Sequence, residues 1–135
     1  MMRVFLLIIT VLFITSCANT ADTSSIESLE GEYKVIGLNG KRITGNEMIF
    51  TFDPVGNRIS GDTGCNNFSA NYSQEGQELD FSTPMNTRKY CEGRMETERE
   101  ILSSIEKASR LQFSGNEVMI YADGEEPLIT LTKIK

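Results

Sequence analysis

The 135-residue chain is too short for two ordinary domains, and its 39% hydrophobic content is enough for a single core. It contains no histidine, which removes any Ser-His-Asp or Cys-His pair and any HExxH zinc site built within the chain. Nineteen acidic residues against thirteen basic ones give a net charge of −6, which repels phosphate backbones and argues against nucleic acid as a partner.

Met1-Met2-Arg3 opens the chain, the uncharged run Val4–Ile14 follows, and Thr15-Ser16-Cys17 comes next. That run is about half the ~20 residues a bilayer-spanning helix needs, and it has the length of a signal-peptide hydrophobic region. Ile14-Thr15-Ser16-Cys17 resembles the bacterial lipobox. The resemblance implies cleavage of residues 1–16, diacylglycerol transfer to the Cys17 thiol and acylation of its new amino terminus. Several acyl chains hold a protein firmly at a membrane, whereas a single one holds it only marginally. Ala18, and not Asp, follows the cysteine. By resemblance to Gram-negative sorting, this points to the cell envelope, at the outer membrane facing the periplasm. Residues 17–30 are expected to be the lipidated cysteine and a flexible tether, because Asn19–Ser28 is small and polar. Residues 31–135 are expected to form the folded domain.

Within that domain the pattern is one of short strands and turns. Glu32–Ile36 alternates, and Asn39-Gly40 supplies a two-residue hairpin signal. Met48–Phe52 is apolar and β-prone, and Pro54–Asn57 turns it back into Arg58–Gly61. Ser69–Ser73 and Glu78–Phe81 flank a turn at Glu75-Gly76. Leu111–Phe113, Val118–Tyr121 and Leu128–Leu131 follow the same rule, separated by Gly115-Asn116 and Asp123-Gly124. One stretch breaks the rhythm. Glu92–Ala108 is rich in helix formers and places Met95, Ile101, Leu102, Ile105 and Ala108 roughly on one face. The charged run Glu96–Glu100 reads as the solvated face of this helix. The expected fold is mainly β, a curved antiparallel sheet or partly open barrel with one helix packed against it.

Cys65 and Cys91 remain once Cys17 is assigned to lipid. In an exported protein, parity and compartment favour a disulfide, with a reactive thiol or a metal site as the alternatives. Closing that loop would stabilise the domain by about 3.5 kcal/mol on loop-entropy arguments. Neither cysteine has a histidine to activate it, and two thiolates alone make a poor zinc cage.

Gly61-Asp62-Thr63-Gly64-Cys65-Asn66-Asn67-Phe68 is similar to the Gly-x-x-Gly-Cys-Asn signature of the META/HslJ family. Thr87-Arg88-Lys89-Tyr90-Cys91 resembles that family's second cysteine motif, placed as expected before the acidic helix. The resemblance runs from about Gly31 to the C-terminus. Tyr33 stands where members often carry Trp, Lys89-Tyr90 where Met-Ala is commoner, and Ala70-Asn71 where a Gly usually precedes the tyrosine at Tyr72. The family implies a curved, largely antiparallel sheet with a helix laid against it. Its bacterial members include heat-inducible envelope lipoproteins linked to novobiocin resistance, and no catalytic site is established for it. The motif residues Gly61, Gly64, Cys65, Asn66, Thr87 and Cys91 are therefore the candidate site. Turn chemistry accounts for Gly64-Cys65-Asn66 without a ligand: Gly permits positive φ, Asn tolerates the left-handed region while bonding its own backbone, and the bend aims Cys65 at Cys91.

Asp53, Asp62 and Asp80 are candidate carboxylates for a hydrolase, and Asp123–Glu126 lacks the alternating ligands of a calcium loop. No metal and no cofactor are expected. The leading expectation is a non-enzymatic, membrane-anchored envelope lipoprotein that binds an envelope protein, lipid or cell-wall component, or supports the envelope under stress. The alternatives are a carrier or chaperone for an apolar ligand and, after it, a carboxylate-dependent hydrolase. An apolar cavity between sheet and helix would favour the carrier, and two close carboxylates in a cleft the hydrolase.

Overall fold

The computed structural model describes residues 27–45 and 47–135. Period-2 burial is the rule that builds it. β1 (Gly31–Leu38) buries Tyr33, Val35 and Leu38; β3 (Ile49–Asp53) buries Phe50 and Phe52, and β4 (Arg58–Asp62) buries Ile59. Next come β5 (Asn67–Glu75) with Phe68, Ala70 and Tyr72 and β6 (Glu78–Phe81) with Leu79 and Phe81. The last three strands are β8 (Arg110–Ser114), β9 (Glu117–Tyr121) and β10 (Ile129–Lys133), which contribute Leu111, Val118, Ile120, Ile129 and Leu131. In each strand the residues between these point outward, as a pleated backbone with one wet face requires.

Neighbours pair antiparallel in the order β10-β9-β8-β6-β5-β4-β3-β1, and β10 also pairs with β1, so the sheet closes into a ring. Closure was not legible from local pattern, because Tyr33↔Lys133 and Leu38↔Ile129 join the two ends of the domain. The register slips between Val35 and Gly37, a bulge that bends β1 where it passes from β3 to β10. Two short strands lie off the ring: β2 (Lys41–Arg42) pairs β1 across Asn39-Gly40, and β7 (Met85–Asn86) pairs β5. Asn39 and Gly40 have φ of 48° and 71°, the positive pair that a tight hairpin of this hand needs.

Aromatic rings knit the interior across strands. Tyr33 meets Phe52 edge-on at 5.5 Å, Phe52 meets Tyr72 at 5.4 Å, and Phe50 meets Phe68 at 5.0 Å. Such contacts add about 0.5–1.5 kcal/mol each beyond the area they bury. Tyr33 is thus a full member of the core. Gly61 sits on β4 against this cluster. A Cβ there would lie 2.7 Å from both the Ile49 carbonyl oxygen and Phe50 Cδ1. The backbone oxygen cannot give way, so Gly61→Ala is expected to lower the unfolding free energy by about 2 kcal/mol. Thermal unfolding checks this: an unchanged melting temperature would mean that the strand relaxes freely.

The helix α1 (Met95–Lys107) lies across one end of the ring. Glu98 in its first half reaches the β4–β5 loop, while Ser103, Ser104 and Lys107 in its second half border Asn39 and Leu128 on the other side. Ile101 and Ile105, both buried, carry it into the core. It begins three residues later than its composition predicts, because Gly93 has a φ of 74° and Arg94 N–H turns back to the Cys91 carbonyl.

At the opposite end lies the segment 27–30. Leu29 is fully buried; its N–H donates to Gln74 Oε1 (2.8 Å) and its carbonyl accepts from the Tyr72 hydroxyl (2.9 Å). Gln74 Nε2 also donates to the Glu27 carbonyl. Residues 27–30, expected to end a free tether, are thus a strap drawn over the mouth of the ring, and the fold includes them from Glu27 on.

Candidate functional site

β4 ends at Asp62 and β5 begins at Asn67, leaving a four-residue loop, 63–66. The loop closes on itself: Thr63 N–H donates to the Asn66 carbonyl (2.8 Å), and Asn66 N–H donates to Thr63 Oγ1 (3.0 Å). Gly64, with φ of 87°, makes the reversal, and Asp62 Oδ1 caps its N–H. The turn sends Cys65 outward and Asn66 inward. Cys65 is bonded to Cys91, with Cα atoms 5.8 Å apart.

Asn66 differs from expectation. Its φ is not positive and its side chain does not bond its own backbone; it is fully buried and uses every hydrogen-bonding position it has. Nδ2 donates to the Lys89 carbonyl (2.9 Å) and to Glu98 Oε2 (2.8 Å). Oδ1 accepts from Lys89 N–H (2.8 Å) and from the Thr87 hydroxyl (2.8 Å). The amide thus grips the backbone of Lys89 as a paired strand would. Thr87 in turn binds β5, its N–H donating to the Asn67 carbonyl and its Oγ1 accepting from Asn67 N–H.

Glu98 is the residue that sequence reasoning misplaced. The run Glu96–Glu100 was expected on the wet face of the helix, and Glu96, Arg99 and Glu100 are there, but Glu98 is 4% exposed. Its carboxylate accepts from Thr63 Oγ1 (2.8 Å), Asn66 Nδ2 (2.8 Å) and Asn86 Nδ2 (3.1 Å). The signal was present in the spacing. Glu98, Ile101 and Ile105 stand at i, i+3 and i+7, one helical face, and an acid on that stripe needs donors to meet it. Thr63 and Asn86 belong to the same cluster and were also missed.

All six motif residues meet at this corner of the ring: Gly61 and Gly64 shape it, Asn66 and Thr87 clamp it, and Cys65–Cys91 ties it covalently. The three aspartates do not meet. Asp53 lies opposite Arg58 at one end of β4 and Asp62 ends that strand four residues on, about 13 Å away. Asp80 lies opposite Ser73, six residues along β5 from Asp62's partner Asn67, about 20 Å. Asp53 and Asp80 are three strand spacings apart, about 14 Å. Paired catalytic carboxylates stand about 5–10 Å apart. Among the described residues no three His, Cys, Asp or Glu side chains cluster as metal ligands.

An apolar ligand would have to sit where Phe50, Phe52, Tyr33, Ile101 and Ile105 already pack. The hollow beside the helix is an open groove of about 410 Å³, edged by Glu96, Arg99, Glu100 and Lys107. Among the described residues, no helix is long and apolar enough to cross a membrane.

The sequence model of the META domain matches residues 26–134. Solved structures share the fold. One, determined by NMR, is 21% identical with a TM-score of 0.61, covering 77% of this chain and 89% of its own. An NMR structure of a protein from Burkholderia xenovorans is 16% identical, with a TM-score of 0.62 over 79% and 84% of the two chains. A crystal structure of a DUF4847 family protein from Bacteroides vulgatus ATCC 8482 is 12% identical, with a TM-score of 0.58 over 77% and 92%. No curated protein matches the sequence.

Proposed function

The chain belongs to the META domain family, and on that premise we propose that it is a non-enzymatic envelope lipoprotein, anchored through an acylated Cys17, that acts by binding. The observation that carries the binding reading is the state of the motif cluster. Asn66 has all four of its positions engaged, and the Glu98 carboxylate is turned onto Thr63, Asn66 and Asn86. A catalytic group keeps a position open toward the reacting atoms, and these groups are occupied in holding a loop. The filled interior and the separated aspartates weaken the carrier and hydrolase readings in the same way.

The anchor reading rests on Val4–Ile14 and Ile14-Thr15-Ser16-Cys17, which lie outside the described residues. The outer membrane, facing the periplasm, is the location it implies, with an envelope component as partner. Mass spectrometry of the membrane fraction is the test, paired with Cys17→Ser. The reading expects a processed chain beginning at acylated Cys17, and loss of detergent-phase partition in the variant. An unmodified Cys17 peptide as the major species would remove the anchor. Binding without turnover is tested separately by complementation of a deletion strain. Variants Asp53→Asn, Asp62→Asn and Asp80→Asn that fold to normal abundance should complement fully. Loss of complementation in one of them, together with hydrolysis of an envelope polymer by the wild type, would establish an enzyme.

A further inference from the structure

Within the loop that Asn66 and the disulfide hold, the side chains of residues 88–90 make no hydrogen bond or ion pair among the described residues. Arg88, Lys89 and Tyr90 are all exposed, Tyr90 by 80%, and among the described residues neither cation enters an ion pair. Backbone bonds at Lys89 and the covalent tie at Cys91 fix the segment on both sides of Tyr90. Arg94 stands at the same corner, its Nη1 donating to the Gly64 carbonyl. Glu92 is the one acid between Arg88 and Arg94, in a chain whose net charge is −6. An exposed tip of two cations and an aromatic, held rigid from behind by a buried cluster, has the form of a pre-organised recognition element.

We propose that Arg88-Lys89-Tyr90 binds an acidic glycan strand, with the cations on its carboxylates and the Tyr90 ring against a sugar face. Shape selects this occupant. A stable protein interface needs roughly 800 Å² per partner with an apolar centre, and this tip offers one ring on a narrow loop. A membrane is disfavoured by position. The tip hangs from residues 63–66, whereas the chain enters the fold at Glu27 beside Gln74, seven residues along β5 and about 23 Å away. In a domain anchored through its N-terminal segment, the orientation with this loop at the end remote from the attachment point leaves it free to meet the cell wall. That orientation rests on the anchor proposed above.

The test is co-sedimentation of the full-length protein with purified cell-wall sacculi, beside chitin as an uncharged glycan and flotation with phosphatidylglycerol vesicles. The proposal expects saturable binding to sacculi that weakens with salt, and little to chitin. Arg88→Gln/Lys89→Gln and Tyr90→Ala should each bind at least tenfold more weakly, with unchanged melting temperatures. Variants that bind as wild type, or a wild type that leaves sacculi in the supernatant, would overturn it. Vesicle flotation that Arg88→Gln/Lys89→Gln and Tyr90→Ala abolish while sacculus binding is kept would make the membrane the occupant and also overturn it, whereas flotation shared by wild type and variants belongs to the acyl anchor. Detergent partition measured on the same preparations separates the two readings. Sacculus binding without partition supports the loop and removes the anchor, whereas partition without sacculus binding overturns the loop alone.

Discussion

Asn66→Ala is the first of two substitutions with a large expected effect, lowering the unfolding free energy by about 3 kcal/mol. The substitution strips four partners at once. Lys89 N–H and C=O and the Thr87 hydroxyl lie near the surface and recover bonds to water, but Glu98, 4% exposed, loses a donor in a place water does not reach. For a domain of this size the melting temperature falls by about 4–8 °C for each kcal/mol, so thermal and denaturant unfolding both resolve the loss. Glu98→Gln is the companion. Asn66 and Asn86 each point an NH2 at a different carboxylate oxygen, so an amide must turn its own NH2 onto one of them, and stability falls although the shape is kept. A loss below about 1 kcal/mol for Asn66→Ala would mean that the disulfide alone holds the corner.

Leu29→Ala is the second. It empties a fully buried site at the mouth of the ring and should cost about 2–4 kcal/mol. A chain beginning at Gly31 should lose more, because it also abandons the bonds to Gln74 and Tyr72. The Tyr72 bond gives this strap a pH signature. Burial pushes the Tyr72 hydroxyl above its ordinary value of 10.0, helped by the nearby charge of Asp53. The folded state therefore holds that proton more tightly than the unfolded chain does. The contribution is complete below pH 10 and is lost as the pH rises through the folded value. Equilibrium unfolding at neutral and at strongly alkaline pH checks the sign; stability that rose with pH there would contradict it.

Much of the fold was legible from local pattern. Alternation in Glu32–Ile36, the apolar β-prone runs Met48–Phe52 and Val118–Tyr121, and the turn residues Asn39-Gly40 and Gly115-Asn116 mark strands and reversals that recur in the structure at nearly the same positions. What escaped depends on contacts between residues far apart in the chain. Tyr33↔Lys133 pairing closes the ring, and no hairpin signal links positions a hundred residues apart. Leu29 was hidden by its company, since one apolar residue among Glu27, Ser28 and Glu30 has no period to betray it. At the site, motif resemblance identified Gly61, Gly64, Cys65, Asn66, Thr87 and Cys91, and the structure gathers them at one corner. Their partners Thr63, Asn86 and Glu98 carry polar side chains that usually face water, and only the tertiary neighbours turn them inward.

A buried polar cluster rigidifies an exposed loop for presentation to a partner. Amide hydrogen exchange at Lys89 tests it most directly. Lys89 belongs to no strand or helix and its side chain is exposed, yet its N–H is held by a fully buried Asn66. The account predicts exchange at Lys89 as slow as in the core strands, set by global unfolding, and a rise to the rate of an open loop in Asn66→Ala. Exchange in the wild type as fast as at Glu125, in the exposed β9–β10 turn, would contradict it.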